Sequence, residues 1–399
     1  MALSAVVMAA LLAVASGASA QLVFDVGNDI WASNDDGSGA HLLVTAASLG
    51  MDQGLGDPAV APTGSTLMFD GLTHANGTPN PISSAVFWGA DADGVYALSG
   101  GTVTRLSGAP QPAGDSSETD ELEPEPAPGG LYVYQHEQCV PQTTYYNLPG
   151  KYCGGWLRSV PISRGAASYS AFATPCDGDM GIPSTPPADP SPDPASGSLR
   201  VAYVGCEHAD QGSAGITTYH DQLIVSGAGG QGQVTVALAP SQSNASNGDP
   251  DLADPSWSPD GSELVVYDAG GSDFDPLTSQ TTTTPGGLYV FSDLTQTNSG
   301  RLVLADPLKG DGTADRIRSP RFTGAGTIVF VLDGSIYSIP ASCSDCTMAS
   351  ATQLRDGGSD ASTQSFSVDW TSGTVAPAQA DSGGGGSGGG GGGSKHQNG

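Results

Sequence analysis

Few residues in this chain stand in patterns that could do chemistry. Cys343-Ser-Asp-Cys346 has the spacing of a redox dithiol or of half a zinc site. The first needs a thioredoxin-like βαβ setting and the second another C-x-x-C or a nearby His pair, and neither accompanies it. A disulfide stapling a hairpin tip is therefore expected. Cys206-Glu207-His208 is where a thiol, a carboxylate and an imidazole adjoin, but neighbours on a strand point to opposite faces. Asn34-Asp35-Asp36-Gly37, Asp91-Ala92-Asp93-Gly94 and Asp273-Phe274-Asp275 offer oxygen ligands in short loops, as calcium requires. None continues into D-x-D-x-D-G with a distal Glu, so they read as ordinary Asp-Gly turns. Arg316, Arg318 and Arg321 cluster, but residues of one loop do not converge from several directions on an anion, and Asp311 and Asp315 can balance them. G-x-S-x-G occurs in a glycine-rich tail alone; H-E-x-x-H and the P-loop do not occur. The 41 acidic residues show no marked acid–base pair. No catalytic residue, metal ligand or cofactor is assigned on this evidence.

The elements around these residues are short. With 58 Gly, 29 Pro and 13% charged residues among 399, the composition favours strands and turns over long helices. The net charge of −29 makes nucleic acid and anionic membrane poor partners, since both need a basic face. Residues 1–20 read as a signal peptide: an apolar stretch ends in Ala18-Ser19-Ala20, an A-x-A-type cleavage site, although a basic n-region is missing. Export to the periplasm, cell surface or medium follows as an expectation, without membrane insertion. Six cysteines in such a chain imply up to three disulfides. By neighbourhood Cys139 pairs with Cys153 and Cys176 with Cys206, beside Cys343 with Cys346, though sequence alone does not fix the connectivity.

A phrase repeats along the chain. Pro255 opens P-S-W-S-P-D-G, Pro58 opens P-A-V-A-P-T-G, Pro124 opens P-E-P-A-P-G-G and Pro320 opens P-R-F-T-G-A-G. Pro190 opens a copy whose glycine comes one position late. The starts at 58, 124, 190, 255 and 320 lie 66, 66, 65 and 65 residues apart. FSVDWTSG is a contracted sixth copy, with Trp370 at the place of Trp257. Pro and Gly set a tight turn before a strand, and each repeat then supplies further strand pairs. Four strands at a fixed period predict a blade. The fold class is thus all-β: a six-bladed β-propeller of four-stranded antiparallel blades over residues 21–374. N-terminal strands in 21–47 complete the last blade begun in 364–374 and close the ring. The residues at the Trp257 position, Val60, Pro126, Pro192, Phe322 and Trp370, should pack between blades.

Asp254 to Tyr267 and Asp29 to Gly37 resemble the two halves of the WD40-like (PD40) repeat of TolB-type six-bladed propellers. The N-terminal domain of TolB itself has no counterpart here, so its partnership does not transfer. The resemblance implies a scaffold that makes protein contacts.

Two acidic, proline-rich stretches, 109–129 and 177–197, read as solvated loops, and 375–399 as a disordered Gly/Ser-rich tail. An insert between Cys139 and Cys153 displays Tyr145, Tyr146 and Tyr152, a candidate contact surface for an unidentified protein partner. The expectation is an exported, monomeric, non-enzymatic scaffold. The alternatives are a carbohydrate- or small-ligand-binding propeller, or a hydrolase or lyase whose carboxylates converge at the channel mouth.

Overall fold

The computed structural model describes residues 20–51, 54–73, 91–106, 118–141, 151–161, 170–173, 188–211, 217–227, 230–240, 242–243, 251–275, 279–307, 317–358 and 361–379. The leader, the glycine tail, Tyr145, Tyr146, Cys176, Asp311, Asp315 and Arg316 lie outside the described residues.

Every copy of the phrase begins a four-stranded antiparallel sheet. Sheet one runs Gly54–Val60, Leu67–Thr73, Asp91–Ser99 and Thr102–Arg105. Sheet two runs Glu118–Ala127, Leu131–Pro141, Lys151–Pro161 and Ser170–Ala173. Sheet three has Ala188–Pro192, Arg200–Gln211, Thr217–Gly227 and Val234–Leu238. Sheet four has Leu252–Trp257, Leu264–Asp268, Gly287–Phe291 and Arg301–Ala305. Sheet five has Arg318–Phe322, Thr327–Leu332, Ser335–Pro340 and Thr352–Arg355. These five are each drawn from one stretch of chain. The other is composite: Val368–Thr371 pairs with Gln21–Val26, followed by Asp29–Asn34 and His41–Thr45. In that seam Leu22 stands opposite Trp370 and Phe24 opposite Val368. The architecture is a β-propeller of small antiparallel sheets.

The core lies between sheets. Strand residues alternate faces, and each face of a sheet meets the next sheet. Met68 and Val95 of sheet one pack with Tyr132 and Tyr134 of sheet two. Val133 and Leu157 meet Val201 and Tyr203, and Val204 and Leu223 meet Leu264 and Trp257. Val265 meets Ile328 and Phe330, Val329 and Val331 meet Leu22 and Trp370, and Val23 and Ile30 meet Leu67 and Phe69. The expected wedge residues Trp257, Phe322, Trp370 and Val60 are 4%, 6%, 7% and 3% exposed and sit in these seams.

Two expectations are corrected. The second halves of the stretches read as loops are the inner strands Glu118–Ala127 and Ala188–Pro192. Acidic and proline-rich sequence is poor strand material, but an inner strand is a sheet edge, where Pro leaves no ladder bond unmade. Sheet four also carries an unforeseen hairpin, Gly271–Asp275 with Gln280–Thr284, flanked by Gln242–Ser243. GGLYV occurs twice, at 129–133 and 286–290, in different roles: Leu131 begins the second strand of its sheet and Gly287 the third.

Candidate functional site

The inner strands share one local device. In five of them the register breaks at an acid–Pro or Ser–Pro step, between Gly56 and Ala59, Leu122 and Glu125, Ala188 and Ser191, Ala253 and Ser256, and Arg318 and Arg321. The residue before each proline has positive φ: Asp57 42°, Glu123 51°, Asp189 51°, Asp254 53° and Ser319 48°. Proline has no N–H for the ladder, so the chain bulges there and turns the preceding side chain aside.

The turned side chains link one sheet to the next. The Asp189 amide donates to Glu123 Oε2 at 2.6 Å, the Asp254 amide to Asp189 Oδ2 at 2.9 Å, and the Ser319 amide to Asp254 Oδ2 at 2.9 Å. The Val368 amide continues the series by donating to Ser319 Oγ at 3.2 Å. Each link satisfies an amide that the bulge left without a ladder partner. Around the ring these residues gather on the axis, where Asp254 acts on Asp57 from across the channel.

Sheet one departs from this pattern. Asp57 is open to the channel, and its carboxyl shares a hydrogen bond with that of Asp70 on the second strand. Asp70 is 1% exposed and its Oδ1 has no partner within hydrogen-bond geometry. Enclosure and the neighbouring Asp57 push the Asp70 carboxyl well above the usual range. Enclosure, Asp189 and Asp57 do the same to Glu123.

Two residues further along the strands, the channel opens into a depression. Glu125, Ser191, Ser256, Arg321 and Asp369 line it, with Trp257, Phe322 and Trp370 at its wall. Arg321 Nη2 lies 2.9 Å from Glu125 Oε1, and its Nε lies 3.6 Å from Asp369 Oδ1. These side chains are 17%, 15% and 10% exposed. Asp369 also accepts from the Val60 amide at 2.6 Å and the Trp370 amide at 2.8 Å. Enclosure pushes the Glu125 carboxyl up to about 8, although Arg321 pulls the other way. Enclosure pushes Asp369 up to about 6 against the pull of Arg321 and the two amides. The carboxylates around Arg321 hold its guanidinium protonated. One cation and two carboxyls, each from a different sheet, thus meet in this depression.

This corrects the reading of Arg321 within the arginine cluster, whose Asp311, Asp315 and Arg316 lie outside the described residues. Arg321 is balanced by Glu125 and Asp369, which strand geometry brings from other sheets, and Arg318 lies on the same inner strand. The other sequence candidates are dispersed. Cys343 and Cys346 form the expected disulfide, with Cα atoms 5.9 Å apart. Cys139 stands opposite Cys153 in the strand register, and Tyr152 opposite Val140. Cys206-Glu207-His208 falls at a register break, after which His208 faces His220. Asp36 caps a turn through the Ser38 amide at 2.9 Å; Asp91 and Asp93 lie within a strand and Asp273 and Asp275 within the added hairpin. Among the described residues no three acidic, His or Cys side chains are grouped closely enough to hold a metal. Reading columns of the repeat would have found the mouth: Glu125, Arg321 and Asp369 share one position, directly after Pro124, Pro320 and Val368.

No family model matches the chain, and no curated protein matches it. Similar folds occur among solved structures at low identity. A Dyadobacter fermentans protein of unknown function is 12% identical, with TM-score 0.39 over 77% of this chain and 84% of its own. An α-L-arabinanase of Penicillium chrysogenum is 15% identical, with TM-score 0.36 over 76% and 80%. A glycosyl hydrolase from Bacteroides ovatus is 11% identical, with TM-score 0.32 over 73% and 82%. Two of these three are enzymes by name, so the expectation of a non-enzymatic chain is withdrawn. The likeness itself concerns the fold.

Proposed function

We propose that the chain is a six-bladed propeller that binds a glycan at the channel mouth and cleaves it there with Glu125 and Asp369. The observation that carries this reading is the contact of both carboxyls with Arg321 at the open end of the channel. Two carboxyls on one guanidinium stand no farther apart than the roughly 9.5 Å at which such a pair still works on one glycosidic bond. Their surroundings separate their roles. Glu125, pushed up to about 8, holds a proton at neutral pH and is the general acid. Asp369, at about 6, is ionised there and is the base or nucleophile. Arg321 positions both and offers donors to sugar hydroxyls. The count of six blades rests on the six seams of buried side chains, with the composite sheet as the closing blade.

An exported protein agrees with the Cys343–Cys346 disulfide, since such bonds persist in oxidising compartments. The test is a panel of arabino-, xylo-, gluco- and amino-oligosaccharides incubated with the parent, Glu125→Gln and Asp369→Asn. Cleavage lowered at least about 100-fold in both variants, each still folded, supports the assignment. Unchanged cleavage in either variant, or no cleavage by the parent of any of them, overturns it.

A further inference from the structure

The outer edges of three sheets are covered by chain from elsewhere in the ring. In sheet three the Asn298 amide, from the turn before the last strand of sheet four, donates to the Val236 carbonyl at 2.9 Å. Asn298 Oδ1 accepts the Leu238 amide at 2.8 Å. In the composite sheet the Ala378 amide, beyond the closing strand, donates to the Leu43 carbonyl at 2.8 Å. Covers of this kind hide strand edges that would otherwise stay open to pairing.

At sheet four the cover is a covalently closed loop. The outer strand Arg301–Ala305 is met by Cys343–Cys346 of sheet five. The Asp345 amide donates to the Leu302 carbonyl and the Cys346 amide to the Val303 carbonyl, both at 3.0 Å. The Ala305 amide donates in return to the Cys346 carbonyl at 3.3 Å, so that Leu304 and Cys346 form a short parallel bridge. On the other limb of the loop Arg301 Nη2 donates to the Ala341 carbonyl at 2.8 Å and Nη1 to that of Cys343. Between the cysteines Asp345 is held at φ 51°, a region that a residue with a Cβ enters only where its surroundings fix it. The S–S bond closes this turn across a Cα separation of 5.9 Å and so aims both amides at the neighbouring strand.

We propose that Cys343–Cys346 is a redox-sensitive latch: closed, it holds the loop on the outer strand of sheet four, and opened, it bares that edge while the ring stays folded. Opening is a two-electron exchange. A dithiol reductant supplies two electrons and two protons, the one S–S bond breaks, Cys343 and Cys346 become thiols, and the reductant leaves as a disulfide. Cys343 and Cys346 are half-buried at the surface, and Ser344 and Asp345 between them are exposed, so such a reagent can approach. Freed of the bond, the turn at Asp345 relaxes and its amides lose their aim. The seam beneath does not depend on the bond, because Val265, Val303, Leu304, Ile328 and Phe330 fill it with buried side chains.

The latch is independent of the glycan reading of the mouth. Its test is amide hydrogen exchange, resolved by residue, in the intact parent and in the double variant Cys343→Ser with Cys346→Ser, each with and without dithiothreitol. The variant keeps the other four cysteines, so it separates this bond from theirs. The expected result is exchange at Ala305 and Asp345 at least about tenfold faster in the variant, with the Asn298 and Ala378 amides unchanged. Dithiothreitol should quicken the same two amides in the parent, leave them as they are in the variant, and be reversed by reoxidation. Unchanged exchange in the variant overturns the latch, because Arg301 and the backbone bonds would then hold the loop unaided. A parent whose two amides ignore dithiothreitol overturns it as well, since the bond would be out of reach. A variant that does not fold, or one that exchanges faster throughout the ring, would show the bond to be a staple of the whole fold and not a latch.

Discussion

Removing the Arg321 guanidinium should destabilise the ring in a way that depends on pH. In Arg321→Met the side chain keeps its length and loses its charge, leaving Glu125 and Asp369 facing one another in a mouth where they are 15% and 10% exposed. Breaking a buried pair from one side costs about 3 kcal/mol or somewhat more. That figure applies where the carboxyls are ionised. Asp369 titrates at about 6 and Glu125 at about 8 in the intact protein. Near pH 5 both are protonated, so the substitution removes only hydrogen bonds to neutral groups, about 1 kcal/mol. Near pH 9 both are charged and the full loss appears. Urea denaturation of parent and variant at pH 5, 7 and 9 therefore should show a gap widening by about 2 kcal/mol across the range. A gap of constant size would refute the argument, since it would mean that neither carboxyl changes its charge beside Arg321. A gap that narrows with rising pH would refute the assignment of the pair altogether.

Other outcomes follow from the same geometry. The parent should itself lose stability as pH rises: Asp25, Asp268 and Asp369 are raised to about 6 and Glu125 to about 8. Their contribution is therefore whole below the unfolded values near 4 and is lost by about pH 6 for the three aspartates and by about pH 8 for Glu125, at most about 1.4 kcal/mol per group and pH unit; stability rising from pH 5 to pH 8 would contradict it. Asp25→Ala should cost about 2–4 kcal/mol by urea denaturation, because one oxygen accepts the Phe366 and Ser367 amides at 2.8 Å across the ring closure; a cost under about 0.5 kcal/mol would remove Asp25 from the closure. Gly261→Ala should lower stability by more than Gly129→Ala. Both have positive φ, +69° and +79°, but a Cβ at 129 meets open space while one at 261 strikes Asp193. Asp193 holds Arg200 at 3.2 Å, and Arg200 stacks 4.2 Å over Trp257; equal costs would show that this stack adjusts freely.

The fold was legible because its punctuation is physical. Pro and Gly recur where each inner strand bulges and turns, and the 65–66-residue spacing survives even where composition drifts. The closure was legible too, since three N-terminal strands and one C-terminal strand made a single missing sheet. What stayed hidden depends on facing. Glu118–Ala127 reads as a solvated loop because Glu, Asp and Pro are poor strand formers, yet Glu123 and Glu125 look into a channel and its prolines sit at an edge. The mouth escaped for a related reason. Glu125 and Arg321 are 196 residues apart in sequence, and only the ring brings them to 2.9 Å. The added hairpin at 271–284 carries no signal beyond a run of Thr after Gln280 that equally suits a loop.

The seam between Leu22 and Trp370 has a consequence for how the protein comes to exist. The strand that closes the ring leaves the ribosome more than three hundred residues after its partner, so Gln21–Val26 waits through the synthesis of five sheets with one edge bare. Such an edge invites pairing with other chains. Pairing across more than three hundred residues is also slow to find. A chain built this way gains by staying unfolded until all of it is available in one place.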